Sequence, residues 1–411
     1  MLRTFSSWSC GLLVALFAVA TAAAAAPPGP KVYVGNFKDN TVSVVDPANG
    51  AAVATVPVVA GPHGMAVSTD GRTVYVSGDA SSGVSVIDTA TDRVTHTIEV
   101  GKAPHGVTLT PDGRWLLVGV YGDDRVAIID TASRQVVATV PVGKPHNIAV
   151  RPDGKLAYVG SQEPGKFALA VVDLATRAVV RSIPLERAPR GVDSAHDGKA
   201  LYVTLAGASA VYVVDPATDR ITAEIPTGVS PHLAQYNRGA PAGVAVVQGP
   251  GELFLFDPAK NIALRSIAVG KQPHWVAASG DGRQAYVTNE GSNDLTVVDL
   301  ATGRTTTIPV GNAPRKVVAQ PAPVKAAGGA AVSIVNFAFA PLQIAIAAGR
   351  SVTWTNDDGA PHGLGFKDGA RGADVLLPGA AFSRVFEQPG TYDYVCSVHP
   401  YMTGKVTVRA R

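Results

Sequence analysis

Cysteine is almost absent from this sequence. Among 411 residues it occurs only twice, as Cys10 and Cys396, and Cys10 lies in a segment that we expect to be cleaved off. The mature chain then has no second cysteine with which to form an internal disulfide. The same segment indicates export to an oxidising compartment. A lone cysteine is unusual there, and a role as a metal ligand is one good reason for it.

Charged residues are also scarce, at 16% of the chain, and the formal net charge is only +3. The sequence contains no run of lysine and arginine that could bind along a phosphate backbone. It therefore predicts neither a nucleic-acid partner nor binding to an anionic membrane. It also lacks a Walker loop, a dinucleotide-binding fingerprint and a Ser–His–Asp signature. By contrast, 43 glycines and 30 prolines are typical of a turn-rich β protein rather than a helical one.

The first 26 residues have the pattern of a signal peptide. Arg3 gives a positive start, residues 11–20 form a short apolar run, and the alanines at 22–26 offer cleavage sites. A membrane anchor is the alternative, but the apolar run is short and no stop-transfer pattern follows it. We therefore predict a signal peptide at 1–26, a periplasmic or secreted protein, and no stable membrane insertion after cleavage.

A repeat of 42 or 43 residues runs from residue 31 to about residue 320. In each copy an aspartate ends an alternating apolar run and precedes a turn: Asp46, Asp88, Asp130, Asp173, Asp215, Asp257 and Asp299. Each copy has room for about four short strands, so seven copies predict a seven-bladed β-propeller over 31–320. We expect the aspartates to be structural, because a short carboxylate can accept hydrogen bonds from the backbone of the turn that follows.

The phase of the repeat predicts how the propeller closes. The first copy lacks its leading strand and the last copy carries an extra one, so residues 314–320 should pair with the strand that begins near Lys31 and cover an exposed sheet edge. The sequence Tyr-Val-Thr-Asn occurs at 286–289, with variants in other copies. In these features the segment resembles the YVTN-type propeller family. That resemblance implies the fold and leaves the activity open.

The C-terminal part has a different pattern. Residues 321–330 are rich in proline, alanine and glycine and are predicted to be a linker. Residues 331–411 contain several alternating apolar runs separated by turns, which predicts a small Greek-key β-sandwich. The predicted fold class is therefore all-β, with a seven-bladed propeller followed by this sandwich.

The sandwich segment contains a compact set of metal-ligating residues. Cys396, His399 and Met402 lie within seven residues, and His362 precedes them, just past an apolar run. Two imidazoles, a thiolate and a thioether are the ligands of a blue-copper centre, in which the methionine is weak and axial. A zinc site with the same histidines and cysteine, or a vestigial site in a structural domain, is the alternative.

The pattern Cys-x-x-His-Pro-x-Met-x-Gly-Lys-Val at 396–406 resembles the short ligand loop of amicyanins, within the cupredoxins that also include plastocyanin and pseudoazurin. The resemblance covers residues 331–411 and implies one type 1 copper held by His362, Cys396, His399 and Met402. It also implies a loop histidine that emerges through an apolar patch and a redox protein as partner. One departure is Gly363, which stands where some cupredoxins carry an asparagine that orders the site.

Every propeller copy also carries a histidine or arginine directly after a proline, near its leading strand: His63, His105, His146, Arg190, His232, His274 and Arg315. The leading strands of a propeller line its axial channel, so this ring of side chains should crowd one mouth of the channel. A structural role within the family is one interpretation. Alternatively the ring binds a metal, since neutral imidazole suits copper, or an anion through charge-assisted hydrogen bonds.

These features lead to one main hypothesis and two alternatives. The main hypothesis is an exported electron carrier in which the propeller serves as a docking or binding platform. The first alternative is a copper oxidoreductase whose ring binds a second metal or an anionic substrate. Its domain order resembles that of nitrous oxide reductase, although that family needs two cysteines in its cupredoxin domain and this chain offers one. The second alternative is a surface binding or scaffold protein.

Overall fold

The computed structural model describes residues 30–237, 240–321, 330–370 and 372–410. The predicted signal peptide and nearly all of the predicted linker lie outside these residues. Within the described residues the regular structure is β-strand throughout, apart from one 3₁₀ turn, η1, at Tyr121–Asp123. A search of the same residues finds no helix with the length and apolar character of a membrane span.

Of the described strands, 28 belong to the N-terminal part. The first fifteen are β1 Val32–Asn36, β2 Thr41–Asp46, β3 Ala51–Pro57, β4 Pro62–Val67, β5 Thr73–Gly78, β6 Gly83–Asp88, β7 Arg93–Glu99, β8 Pro104–Leu109, β9 Trp115–Val120, β10 Arg125–Asp130, β11 Gln135–Pro141, β12 Pro145–Val150, β13 Leu156–Ser161, β14 Ala168–Asp173 and β15 Ala178–Pro184. The others are β16 Pro189–Ser194, β17 Leu201–Leu205, β18 Ala210–Asp215, β19 Arg220–Pro226, β20 Pro231–Gln235, β21 Gly243–Val247, β22 Glu252–Asp257, β23 Ile262–Ala268, β24 Pro273–Ala278, β25 Gln284–Asn289, β26 Asp294–Asp299, β27 Thr305–Pro309 and β28 Pro314–Ala319.

These strands form seven four-stranded antiparallel sheets, which confirms the seven-bladed propeller. Six blades consist of four consecutive strands, and the remaining blade has the order β28-β1-β2-β3. In that blade Val32 lies opposite Ala319 and Val34 lies opposite Val317. The last strand therefore closes the ring by pairing with the first, as the phase of the repeat predicts.

The leading strand of each blade lies innermost. Each one contacts the leading strand of the next blade around the axis: β4, β8, β12, β16, β20, β24 and β28. Strands second and third from the axis, such as β9 and β10, are buried along nearly their whole length, as expected for continuous apolar runs that pack between neighbouring sheets. Outer strands such as β11 are mostly exposed.

The repeated aspartates hold turns, as the sequence predicts. Asp299 accepts hydrogen bonds from the backbone N–H of Ala301 at 3.1 Å and of Thr302 at 2.7 Å, and these bonds lower the pKa of its carboxyl group. The bond to the N–H two positions later recurs at the other six aspartates: Asp46, Asp88, Asp130, Asp173, Asp215 and Asp257. Each copy of the repeat thus turns at the same place.

The C-terminal part is a sandwich of two mixed sheets. Its strands are β29 Ala330–Val335, β30 Ala338–Ala340, β31 Gln343–Ala347, β32 Arg350–Asn356, β33 His362–Phe366, β34 Ala373–Leu376, β35 Ala381–Phe386, β36 Gly390–Val395 and β37 Thr403–Arg409. The sheet orders are β30-β29-β32-β35 and β31-β37-β36-β33-β34. Trp354, Phe386 and Tyr394 are fully buried between the sheets. Cys396 and Met402 belong to the same core cluster.

Candidate metal centre

Two neighbouring strands bring the cysteine and the first histidine together. β33 begins with His362 and pairs antiparallel with β36, so that Gly365 lies opposite Val395. Cys396 follows the end of β36 directly. The register of this pair therefore places Cys396 beside the first residues of β33, although 34 residues separate Cys396 from His362.

The loop between β36 and β37 carries the other two predicted ligands. The backbone N–H of Cys396 donates to the C=O of Met402 at 3.0 Å, and the N–H of Met402 donates to the C=O of His399 at 2.9 Å. Because the flanking strands already pair with each other, these bonds fix the shape of the loop. Cys396 and His362 are fully buried, Met402 is 3% exposed, and His399 is partly exposed.

Three donor atoms converge at this point. Cys396 Sγ lies 3.6 Å from His362 Nδ1 and 3.8 Å from His399 Nδ1, and the two Nδ1 atoms are 3.3 Å apart. A point equidistant from the three atoms lies about 2.1 Å from each, within the range of metal–nitrogen and metal–sulfur bonds. Among the described residues, this is the one group of three histidine, cysteine or carboxylate donors close enough to share an ion. The donor set therefore fits a metal.

Two backbone groups face the sulfur. The N–H groups of Gly363 and His399 each donate to Cys396 Sγ at 3.3 Å, and such bonds tune a metal-bound sulfur. A Cβ atom at Gly363 would lie 2.6 Å from the C=O of Asp374 and would collide with Ser397 Oγ. The absence of an asparagine at this position therefore has a steric reason, and it leaves the backbone bond to the sulfur in place.

Asp358, which the sequence analysis missed, contacts the buried histidine from the opposite side. Its Oδ2 lies 2.8 Å from His362 Nε2. The carboxylate of Asp358 also accepts hydrogen bonds from two backbone N–H groups: that of Asn336 to Oδ1 at 2.6 Å and that of Phe337 to Oδ2 at 2.9 Å. The bond from Phe337 is the main cause of the lowered pKa of this carboxyl group. A carboxylate on Nε2–H leaves Nδ1 free to bind a metal and makes the imidazole a stronger donor. In the sequence, its only signal is an acidic pair shortly before the histidine.

An apolar surface patch surrounds the exposed edge of His399. Phe337, Val398 and Tyr401 are 44%, 43% and 71% exposed. The ring of Phe337 meets both imidazoles edge-on, with centroids 5.3 Å from His362 and 5.0 Å from His399. A partner that covers this patch would come within one imidazole of the sulfur, which is the arrangement that the resemblance to amicyanins implies.

The structure also brings the seven ring residues together. Each occupies the second position of an innermost strand, and all line one cavity at the mouth of the axial channel: His63, His105, His146, Arg190, His232, His274 and Arg315. Imidazole centroids are 3.8 Å apart between His63 and His105 and 3.9 Å apart between His232 and His274. Burial lowers the pKa of all five imidazoles, so they are neutral at pH 7.

Two family models match this chain. The model of the YNCE-like beta-propeller family matches residues 12–111 and 107–242, which together are more than half of the chain. The model of copper binding proteins of the plastocyanin/azurin family matches residues 326–409. The resemblances to YVTN-type propellers and to cupredoxins are therefore confirmed.

Curated relatives match the C-terminal part. Amicyanin-alpha of Methylorubrum extorquens is 41% identical over 88 residues, which are 20% of this chain and 73% of that protein. Amicyanin of Paracoccus versutus is 35% identical over 82 residues, 19% of this chain and 62% of that protein. Chloroplastic plastocyanin of Physcomitrium patens is 39% identical over 83 residues, 17% of this chain and 49% of that protein. This chain thus spans less than two thirds of the length of the last two.

Solved structures match more of the chain. Hydrazine synthase of Kuenenia stuttgartiensis is similar with a TM-score of 0.50 at 25% identity, over 58% of this chain and 77% of that one. Dihydro-heme d1 dehydrogenase NirN is similar with a TM-score of 0.55 over 72% of this chain and 76% of that one, but its 19% identity shows the fold alone. The chain belongs to the YNCE-like β-propeller family and ends in a type 1 copper domain of the plastocyanin/azurin family, related to amicyanins.

Proposed function

We propose that this protein is an exported one-electron carrier whose copper is held by His362, Cys396, His399 and Met402. The observation that carries the proposal is the convergence of Cys396 Sγ and the two Nδ1 atoms at 3.3–3.8 Å from one another. When bound, copper supplies a one-electron couple between Cu(I) and Cu(II), for which two histidines, a thiolate and a weak methionine are the known setting. The similarity to amicyanins favours copper over zinc.

The chain's own residues hold this geometry and exclude water from it. Cys396 and His362 are fully buried, and the backbone of the ligand loop is tied at both ends to β36 and β37. Asp358 holds the ring of His362 from outside the metal position. A site whose ligands are fixed in this way keeps nearly the same geometry in both oxidation states, and such a site favours fast electron exchange.

We propose the apolar patch around His399 as the place where electrons enter and leave, and a redox protein as the partner. Interfaces of electron-transfer pairs are typically small and short-lived, so a patch of a few apolar side chains is a suitable contact. The propeller then serves as the docking or binding platform that holds the partner near the patch. The signal-peptide pattern at 1–26 supports a periplasmic or secreted location.

Absorption spectroscopy of the full-length protein, expressed with ample copper, tests the copper centre. We expect an intense visible band from thiolate-to-copper charge transfer and one copper per chain by elemental analysis. Cys396→Ser should abolish the band because it removes the thiolate. The matched variant His96→Ala, which alters an exposed histidine on β7, should retain it.

Two outcomes would contradict the proposal. One is a colourless, zinc-filled site in protein made with ample copper, and the other is an unchanged spectrum in Cys396→Ser. A blue protein that exchanges electrons only slowly with small redox proteins in stopped-flow mixing would instead favour the alternative of a surface binding or scaffold protein.

A further inference from the structure

The mouth of the axial channel is a cavity of about 490 Å³ lined by the ring residues, and nothing in the proposed electron transfer uses it. The ring histidines lie on its wall, deep enough that His63, His105, His232 and His274 are only 5–7% exposed. Polar side chains that are buried this deeply are normally satisfied by hydrogen bonds. The partners of each ring side chain therefore indicate whether the ring is purely structural.

The histidines fall into two groups by their partners. His146 Nδ1 lies 2.9 Å from the C=O of Arg190, and His274 Nδ1 lies 2.8 Å from the C=O of Arg315. The Nδ1 atom of His232 is equally buried and has no hydrogen-bond partner among the described residues. His105 is intermediate, because the C=O of His146 faces its ring without meeting the geometry of a full hydrogen bond. Within the part of the chain that the structure describes, these two imidazoles therefore do not use all of their hydrogen-bonding capacity.

The cavity also contains a guanidinium without a carboxylate partner. Arg190 bonds only to neutral oxygens, Ser230 Oγ at 3.0 Å and Gln248 Oε1 at 2.9 Å, and it forms no ion pair with the described residues. The other ring arginine differs, because Arg315 is paired with Glu290 at 2.9 Å. Among the described residues, Arg190 is thus a cation without an ion-pair partner.

A buried lysine lies beneath the ring. Lys316 is 7% exposed, its Nζ lies 3.0 Å from the ring centroid of Trp275, and it forms no hydrogen bond with the described residues. It faces a chamber of about 410 Å³ that follows the mouth along the axis. Burial lowers the pKa of this amine well below 10.5, and the nearby carboxyl group of Asp193 opposes that shift. Lys316 therefore gains positive charge at this end of the channel as the pH falls.

We propose that the mouth of the axial channel binds a small oxyanion, held by the guanidinium of Arg190 and the N–H groups of His105 and His232. A guanidinium donates the same kind of charge-assisted hydrogen bond to the oxygens of a carboxylate, a nitrate or a phosphate. The chemistry that these ligands share is a negatively charged oxygen. A metal fits less well. The imidazole rings of His63 and His105, and those of His232 and His274, lie against each other at a tilt of 39°. No three of the ring nitrogens meet at a common point among the described residues.

Proton uptake should accompany binding. A bound anion favours the charged form of nearby imidazoles, whose pKa values burial holds below 6.5. The carboxyl groups that face the channel act in the same direction: burial raises the pKa of Asp79, and that of Asp193 to about 7, so both lose charge as the pH falls. Glu290 stays paired with Arg315. The affinity for the anion should therefore increase as the pH is lowered.

Isothermal titration calorimetry on the full-length, copper-loaded protein tests the site. The probes are inorganic phosphate, nitrate and acetate, with chloride as the reference ion. We expect one equivalent of at least one oxyanion to bind, more tightly at lower pH. Arg190→Gln should weaken binding about tenfold or more, because a hydrogen bond to a charged group is lost. The matched variant Arg220→Gln, which alters an exposed arginine on β19, should bind like wild type.

A second variant, His105→Ala/His232→Ala, keeps the test decisive if Arg190→Gln does not fold, and it should also weaken binding. The proposal is overturned if no oxyanion binds saturably, or if both ring variants bind as tightly as wild type. It is also overturned if wild type takes up a second equivalent of copper or zinc that the double variant lacks, since the ring would then be a metal site. The blue band, read in the same samples, reports the copper centre separately.

Discussion

At the scale of single residues, groups that are not ligands shape the copper site. Asp358 fixes His362 through a 2.8 Å bond and is itself held by two backbone N–H groups. Gly363 gives its N–H to Cys396 Sγ in a space where a side chain would collide with the chain opposite. We therefore expect the electronic setting of the copper to depend on two residues that no ligand motif contains.

Asp358→Asn is expected to raise the reduction potential of the copper. The carboxylate places negative charge next to a ligand of the metal, which stabilises Cu(II) relative to Cu(I), and the amide removes that charge. A rise on the order of 60 mV corresponds to a tenfold change in the relative stability of the two states for a one-electron couple. A redox titration of the blue band measures it.

Asp357→Asn is the matched control for that titration. Asp357 bonds to Ser333 rather than to a ligand, so the same change of charge one residue away should leave the potential much closer to that of wild type. Equal shifts in the two variants would mean that general surface charge, and not the bond to His362, sets the potential.

At the scale of elements, the innermost strands decide what the histidine ring can do. Each strand begins with a proline and places the next side chain at the channel mouth. Five of the seven repeats place a neutral imidazole there, and neighbouring imidazoles pack against one another with centroids as close as 3.8 Å. Protonation of such a stack is unfavourable, because burial and neighbouring cations both oppose the charge.

Acid should therefore destabilise the propeller between about pH 6.5 and pH 4. The pKa of His146 is about 4 in the folded chain, so the unfolded chain binds more protons in this window and stability falls as the pH falls. Each ring imidazole contributes a slope of up to about 1.4 kcal/mol per pH unit. Urea unfolding at a series of pH values measures the slope.

The variant His146→Asn should flatten this profile, since one of the depressed imidazoles is gone. His96 is exposed rather than buried in the ring. The pH profile of the free energy of unfolding of His96→Ala should therefore be parallel to that of wild type. If the wild-type and His146→Asn profiles were parallel, the ring would not be the source of the acid sensitivity.

At the scale of the whole molecule, the closing strand β28 couples the two ends of the propeller. It is the last strand of the propeller and pairs with β1, the first. It also packs against β4 and β24. Val317 on this strand is 1% exposed within one of the inter-blade cores. The chain continues from β28 toward the copper domain, so the same strand ends one unit and leads to the next.

Val317→Ala is expected to lower the free energy of unfolding of the propeller by about 1–3 kcal/mol, through lost burial and a cavity. The blue band should be unchanged at room temperature, because the copper domain has its own core. Thermal unfolding followed by circular dichroism, and separately by the blue band, tests both statements. Thr306→Ala changes an exposed residue on the outer strand β27 and should hardly lower the free energy of unfolding. Loss of the blue band in folded Val317→Ala protein would contradict the independence of the two cores.

Periodic features of this chain were predictable from the sequence. The spacing of the seven aspartates gives the blade count, and the unpaired first and last strands give the closure, because both follow from local patterns of apolar residues and turns. The candidate ligands Cys396, His399 and Met402 could be named from the sequence, since they lie within one short stretch, and their role stays a prediction.

Only the tertiary structure decided how distant residues meet. The register of β33 against β36 brings His362 to within 3.6 Å of Cys396, and the fold of the loop before β33 turns Asp358 toward His362 Nε2. At the channel mouth the sequence repeats histidine in five of the seven copies, yet the structure pairs Nδ1 of His146 and His274 with backbone oxygens and leaves Nδ1 of His232 without a partner among the described residues. Such differences depend on the positions of neighbouring chain segments, because hydrogen bonding requires distances and angles that a linear pattern does not contain.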